Sequence, residues 1–167
     1  ASKKLLLFRG GKHLFNPAAF GLIFSGLLFG NHLNWWGSSS LWPIVLGGGW
    51  ILLRLRRLAL PFSYFIARAL SAVLLGGMAW HSALLMPNLF FAFLMLIEPK
   101  TSPAKRSEQW IFGGLCGLLA TVSYRLFPAV EGDLMALLVL NLMRPLIPQV
   151  TLALSLLSPA RQKGKSS

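Results

Sequence analysis

Leu84–Ile97 fills nearly every position with an apolar or aromatic residue, then stops at Glu98-Pro99 and gives way to a short basic loop, Lys100-Thr101-Ser102-Pro103-Ala104-Lys105. A helix on the surface of a soluble domain keeps a polar face for water, and this stretch has none. Such a run ends at a membrane surface. Glu98, Lys100, Thr101 and Ser102 then put charged and hydrogen-bonding groups at the lipid boundary, where a helix end leaves carbonyls unpaired. An ordinary helix stop is the plainer account of the same residues.

The whole chain repeats this character. Apolar residues make up 55% of the 167 positions, charged residues only 12%, and the mean hydropathy is +0.65, the profile of a polytopic membrane protein rather than a soluble one. One transmembrane domain, residues 1–167, is expected. A net charge of +12 is compatible with nucleic acid in general, but the cations here lie between apolar runs instead of on one water-facing surface, so no nucleic-acid partner is expected. Cys116 is the lone cysteine, sits in an apolar segment and reads as a small buried hydrophobe; an intrachain disulfide is excluded. The basic start, Lys3-Lys4 followed by Arg9 and Lys12, lacks the apolar core and small-residue cleavage site of a signal peptide. A start at Ala1, without methionine, is expected of a processed or truncated chain.

In chain order, the first apolar stretch is Leu14–Gly30, where Asn16 reads as a helix cap and Pro17 as the first helical residue. It is short for a span and is expected to be a half-span or to continue towards Trp35. Residues 31–41 read as an uncharged loop with interfacial tryptophans. The second span starts at Trp42 and contains Gly47, Gly48 and Gly49, which either admit a helix or cofactor close to the backbone or simply pack flexibly. The third runs Leu58–Trp80 with Arg68 inside it, the fourth Ala83–Ile97, and the fifth Trp110–Phe127 with Gly113, Gly114 and Gly117 near its start. Glu131-Gly132-Asp133 forms an acidic turn. The last run, Leu134–Leu157, is expected to break at Arg144-Pro145 and Pro148. The predicted fold is an all-α, polytopic transmembrane helix bundle of about six spans, with room for half-helices.

Lysines and arginines fall on one side of this arrangement: Lys3, Lys4, Arg9 and Lys12; Arg54, Arg56 and Arg57; Lys100, Lys105 and Arg106; Arg161, Lys163 and Lys165. The opposite loops carry none, and Trp35, Trp36, Trp42 and Trp80 gather there as an aromatic belt. Both termini are therefore expected in the cytoplasm, most simply at a bacterial inner membrane or a similar energy-coupling membrane. Single cysteines at Ser39 and Ser107 in a Cys116→Ala background should accept an impermeant label from opposite sides; labelling of both from one side would rule this topology out.

Among residues that could carry chemistry, Arg68 stands near mid-bilayer, where an unpaired charge costs about 2.5–3.5 kcal/mol even on the mildest scale, so it must face protein, water or an anion. Arg144 is read at a similar depth and Arg125 nearer the outer end. Together they suit a flavin phosphate, a quinone oxygen or a carboxylate; snorkelling or pairing with a neighbouring subunit explains them equally well. His13 reads as interfacial. His32 and His81 lie on the outer side without metal-ligand spacing. No phosphate-binding glycine loop, metalloprotease signature or nucleophile triad is present, which argues against a self-contained hydrolase.

Three segments carry a resemblance: His13-Leu14-Phe15-Asn16-Pro17-Ala18-Ala19-Phe20-Gly21, Ile97-Glu98-Pro99-Lys100-Thr101-Ser102-Pro103, and Glu131-Gly132 followed by Asn141 and Pro145-Leu146-Ile147. In this order and on this hydropathy pattern, the chain resembles the membrane family that contains the D subunit of the Rnf electron-transport complex and the B subunit of the sodium-pumping NADH:quinone oxidoreductase. The shorter Rnf-D-like proteins share the lead Lys-His-Leu-Phe-Asn-Pro. The family motif residues here would be Asn16, Pro17, Glu98, Pro99, Thr101, Ser102, Glu131, Gly132, Asn141 and Pro145.

The resemblance implies a subunit of a multisubunit membrane complex in electron transport, coupled in the parent proteins to sodium or proton movement. Those parents have about ten spans in two related halves and carry FMN covalently on a threonine in a Ser-Gly-Ala-Thr-like motif. That motif is missing here and the chain is too short for ten spans, so it reads as part of the longer fold without covalent FMN. Any flavin or quinone would be held noncovalently, with Arg68, Arg125 and Arg144 as candidates. Two functions follow as alternatives: a redox-linked subunit, or a structural or assembly subunit docked on other membrane subunits. The partners implied are those subunits and the lipid bilayer.

Overall fold

Asn16 and Pro17 start helix α1, Pro17–Phe29, as expected: Asn16 Oδ1 accepts from the amides of Ala18 and Ala19, both at 3.0 Å, and Pro17 stands where no N–H is required. Its 13 residues rise about 20 Å, short of the ~30 Å hydrocarbon core, which suits a half-span. The computed structural model describes residues 7–8, 12–13, 15–30, 41–85, 88–128 and 130–157. Of the expected outer loop at 31–41, residues 31–40, with His32, Trp35 and Trp36, lie outside the described residues, as do Lys3, Lys4, Arg9, Arg161, Lys163 and Lys165. The described part is all-α apart from a two-residue ladder of β1, Leu7–Phe8, with β2, Lys12–His13.

Helix α2 covers residues 41–55 and widens into a π segment over Ile44–Gly48 before resuming as Gly49–Leu55. That segment meets a second one. Gly48 lies against Phe93, and a Cβ there would stand 2.7 Å from Phe93 Cβ, whereas Gly47 and Gly49 face open space. Of the three glycines, only the middle one serves close packing.

Helix α3, Ala59–Leu74, ends earlier than the expected span to Trp80. Gly77 takes a left-handed φ of 66°, and Arg125 donates to the Leu75 carbonyl left open at the helix end. The expected fourth span is also two pieces, α4, Trp80–Leu85, and α5, residues 89–95, built on the π segment Phe91–Met95. A side-chain cap explains the restart: Asn88 Oδ1 accepts from the Phe91 amide at 3.0 Å. Short α5 is buried centrally, with Phe91 and Ala92 inaccessible and the Phe91 ring 5.4 Å from that of Tyr64.

Helix α6, Arg106–Leu126, runs parallel to α3. Ser63 Oγ reaches the Gln109 carbonyl, Gly117 lies against Tyr64 and Arg68, Thr121 meets Arg68 and Ser71, and Arg125 meets Leu75, so the two helices advance in step. Gly113 and Gly117 make this approach possible. A Cβ at Gly113 would come within 2.3 Å of the Leu60 carbonyl oxygen, and one at Gly117 within 2.5 Å of that of Tyr64. Parallel α3 and α6, both starting at the end that carries Arg57 and Lys105, are what alternate passes of a back-and-forth bundle require.

Helix α7, Gly132–Met143, returns along α6 and continues through a 3-10 turn, Arg144–Leu146, into α8, Ile147–Leu157. The expected break at Arg144-Pro145 is therefore a tightened turn. Pro145 is the second residue of the 3-10 turn and Pro148 the second of α8, first-turn positions where proline is tolerated. Gly132–Ala153, 22 residues, is the one run among the described residues long and apolar enough to cross a membrane; Pro17–Phe29, Ile44–Leu55 and Ala59–Leu74 are shorter apolar helices.

The solvent this fold expects is legible on α3. Phe62, Ile66, Leu70 and Leu74, four apart, form an outward stripe 53–77% exposed, while Leu60, Tyr64, Arg68, Ser71 and Ala72 face inward. A water-exposed helix would reverse that order. The chain is a membrane protein, with lipid against the apolar stripe.

Candidate functional site

The first two motif segments and Asn141 of the third, far apart in sequence, meet at the end of the bundle where α3 and α6 begin, while Glu131-Gly132 lies towards the other end, against Ala120 and Tyr124 of α6. Asn141, on α7, stands between the other two: in the amide orientation its neighbours require, Nδ2 donates to the Thr101 carbonyl at 3.3 Å and Oδ1 accepts from the Asn16 amide at 3.1 Å. Asn16 Nδ2 in turn donates to the Met95 carbonyl at 3.4 Å, tying the start of α1 to the end of α5. Asn16 thus caps its own helix and joins the junction.

The loop after α5 is folded on itself and clamped from two sides. Thr101 Oγ1 donates to Glu98 Oε2 at 3.2 Å and Ser102 Oγ to the Glu98 carbonyl at 2.7 Å. Arg144 Nη1 donates to the Lys100 carbonyl at 2.6 Å, and Arg57 Nη1 to Ser102 Oγ and the Pro103 carbonyl, the latter at 3.2 Å. Thr101 and Ser102 are buried, as are Asn16 and Asn141. Thr101 and Ser102 are thus enclosed by protein. Loop carbonyls inside protein need donors, and the arginines and Asn141 provide them. Arg57 pays for its place electrostatically: burial lowers its pKa, and the charge of Arg144 lowers it further.

A second polar cluster lies within the α3–α6–α7 interface. Arg68 Nη1 donates to Thr121 Oγ1 at 2.6 Å, Thr121 Oγ1 and Ser71 Oγ are 2.5 Å apart, and Tyr64 donates its hydroxyl proton to Asp133 Oδ1 at 2.9 Å. Arg68 Nε is 3.5 Å from the same Asp133 oxygen, an ion-pair distance without hydrogen-bond geometry. Both side chains are buried, so Arg68 faces protein, as its depth requires. Asp133 was not singled out in the sequence. The signal was there: the chain has four carboxylates, and a charge inside a span needs one of them.

The arginines expected as cofactor contacts have three separate sets of partners. Arg68 pairs with Asp133; Arg125 is exposed and serves the Leu75 carbonyl; Arg144 holds the Lys100 loop. Asp133 marks the level of Arg68 on α7, and Arg144 stands eleven residues further along, about 16 Å at the helical rise, so the two do not share a depth. Gly132 packs against the Ala120 carbonyl, and Glu131 precedes α7, accepting from the Met135 amide through its carbonyl at 3.1 Å. His13 lies in β2 and His81 is exposed beside Trp80. Among the described residues no group of three or more His, Cys, Asp or Glu could hold a metal ion.

The three threonine hydroxyls each have a partner within the chain. Thr101 Oγ1 is bonded to Glu98, Thr121 Oγ1 lies in the Arg68 cluster, and Thr151 Oγ1 donates to the Ile147 carbonyl at 2.9 Å. Thr101 and Thr121 are also buried.

The NQR2, RnfD, RnfE family matches this chain over residues 12–154, which takes in all three motif segments. No curated protein and no solved structure matches.

Proposed function

Because the chain belongs to the NQR2, RnfD, RnfE family, whose members work in membrane complexes of electron transport and ion translocation, we propose that it is an Rnf-D-like subunit that supplies a fixed membrane frame and carries no covalent flavin. The observation that carries this reading is the junction of Asn16, Thr101 and Asn141. Asn16, Thr101 and Asn141, one from each motif segment, are joined through Asn141, and with the Asn16 bond to the Met95 carbonyl this fixes the register of α1, α5 and α7. Arg68 is paired with Asp133 inside the bundle, which favours a frame over a redox centre at that level. The basic end faces the cytoplasm on the positive-inside rule.

A tag on this chain, with the native assembly drawn out in mild detergent, tests the reading. Other membrane chains should copurify, and on a denaturing gel under ultraviolet light this chain's band should be dark, with an unmodified intact mass. Purification of the chain by itself from its native membrane would overturn the subunit assignment. A fluorescent band with a mass increase matching FMN would overturn the flavin assignment. Flavin absorbance that follows the chain through partner removal and is released on denaturation would favour the redox-linked alternative, with a reversibly held cofactor.

A further inference from the structure

Arg57 and Arg144 approach the same short loop from opposite elements, one after α2 and the other at the 3-10 turn after α7, and both spend Nη1 on neutral acceptors. Neutral carbonyls satisfy a donor without cancelling its charge. Arg54, Arg56, Lys100, Lys105 and Arg106 flank the same end, where the carboxylates are Glu98 and Glu108. Glu98 accepts from Thr101, and Glu108 pairs with Lys105 at 3.6 Å. Among the described residues neither Arg57 nor Arg144 has a carboxylate within ion-pair distance; the two are close enough for their charges to repel, and Glu108 attracts Arg144 from further off. Each guanidinium carries five N–H donors in a fork suited to phosphate. The flanks are apolar and exposed: Trp50 and Leu53 on the Arg57 side, Leu142 and Leu146 on the Arg144 side.

We propose that this end of the bundle seats an anionic phospholipid, its phosphate between Arg57 and Arg144 with Lys100 at the rim, and its acyl chains along Trp50, Leu53, Leu142 and Leu146. The phosphate neutralises two like charges of which Arg144 alone feels a carboxylate, that of Glu108, which is shared with Lys105. The apolar flanks select a lipid over a free anion, because a soluble phosphate would leave them unused. The lipid would also brace the motif loop, since both arginines hold its carbonyls.

The test uses the full chain purified in detergent and titrated with short-chain phosphatidylglycerol, phosphatidylcholine of equal chain length, or inorganic phosphate, with bound lipid read by native mass spectrometry. Phosphatidylglycerol should bind about tenfold more tightly than phosphatidylcholine and resist competition by an equal concentration of phosphate. Arg144→Gln should weaken phosphatidylglycerol about tenfold and Lys100→Gln about fivefold, while Arg125→Gln, at the other end of α6, should leave it unchanged. Equal binding of the two lipids overturns the proposal, as does displacement by phosphate or an equal loss in Arg125→Gln. Should Arg144→Gln yield no folded protein, Lys100→Gln decides, because that side chain is exposed and holds no backbone; unchanged phosphatidylglycerol binding in it overturns the site.

Discussion

Arg68→Leu and Asp133→Leu should each remove about 3–5 kcal/mol of stability, because either change strands the other charge inside the bundle. Against a total near 5–15 kcal/mol, such a loss leaves little folded protein at working temperature. The double variant Arg68→Leu/Asp133→Leu should recover most of it, since no charge is then left unpaired. Tyr64→Phe removes one hydrogen bond to the carboxylate and should cost only about 1–2 kcal/mol. The measurements are yield of monodisperse protein in detergent and its thermal midpoint, with Arg106→Gln, exposed at the start of α6, as a reference for unspecific charge loss. Singles that behave like Arg106→Gln, or a double variant as poor as the sum of its singles, would show that the pair has no structural part.

Gly117→Ala and Gly113→Ala should each destabilise by about 1–3 kcal/mol, and the cost should sit at the upper end because the new methyl meets backbone. At Gly117 it would stand 2.5 Å from the Tyr64 carbonyl oxygen and 2.7 Å from the Arg68 amide; at Gly113, 2.3 Å from the Leu60 oxygen. Neither obstacle is the end of a flexible side chain. Gly114→Ala, next in sequence, meets nothing within 4 Å and should be neutral or slightly stabilising. Thermal unfolding of the three variants side by side is sufficient, and equal midpoints would mean that α3 and α6 do not pack as described.

Local features were legible where one side chain acts on its own neighbours. Asn16 and Pro17 announce α1, and the four-residue spacing of Gly113 and Gly117 announces a packed face, although Gly114 belongs to the opposite side. The end of α3 lies at Gly76-Gly77, inside an apolar run that continues to Trp80 and therefore reads as one span. Polar residues after an apolar helix look the same whether they face headgroups or protein. What buries Thr101 and Ser102 is Arg57 and Asn141, donors from segments far away in the chain. The demand for a counter-ion at Arg68 could be read from its depth, whereas the identity of that counter-ion depended on how α7 returns along α6. Arg144 was placed too deep because hydropathy measures distance along the chain and not the level at which a returning helix meets its neighbours.

The pairing of Arg68 with Asp133 also sets an order of events during synthesis. Arg68 leaves the ribosome an entire return pass and the whole of α6 before its counter-ion exists. Helix α3 therefore cannot settle in hydrocarbon as an independent unit; its guanidinium needs the protein-conducting channel or its bound water as a temporary partner until α7 arrives. Release into lipid becomes a joint step for α3, α6 and α7, and a ribosome stalled before Asp133 should leave α3 extractable by alkali while the chain released from the ribosome should resist it.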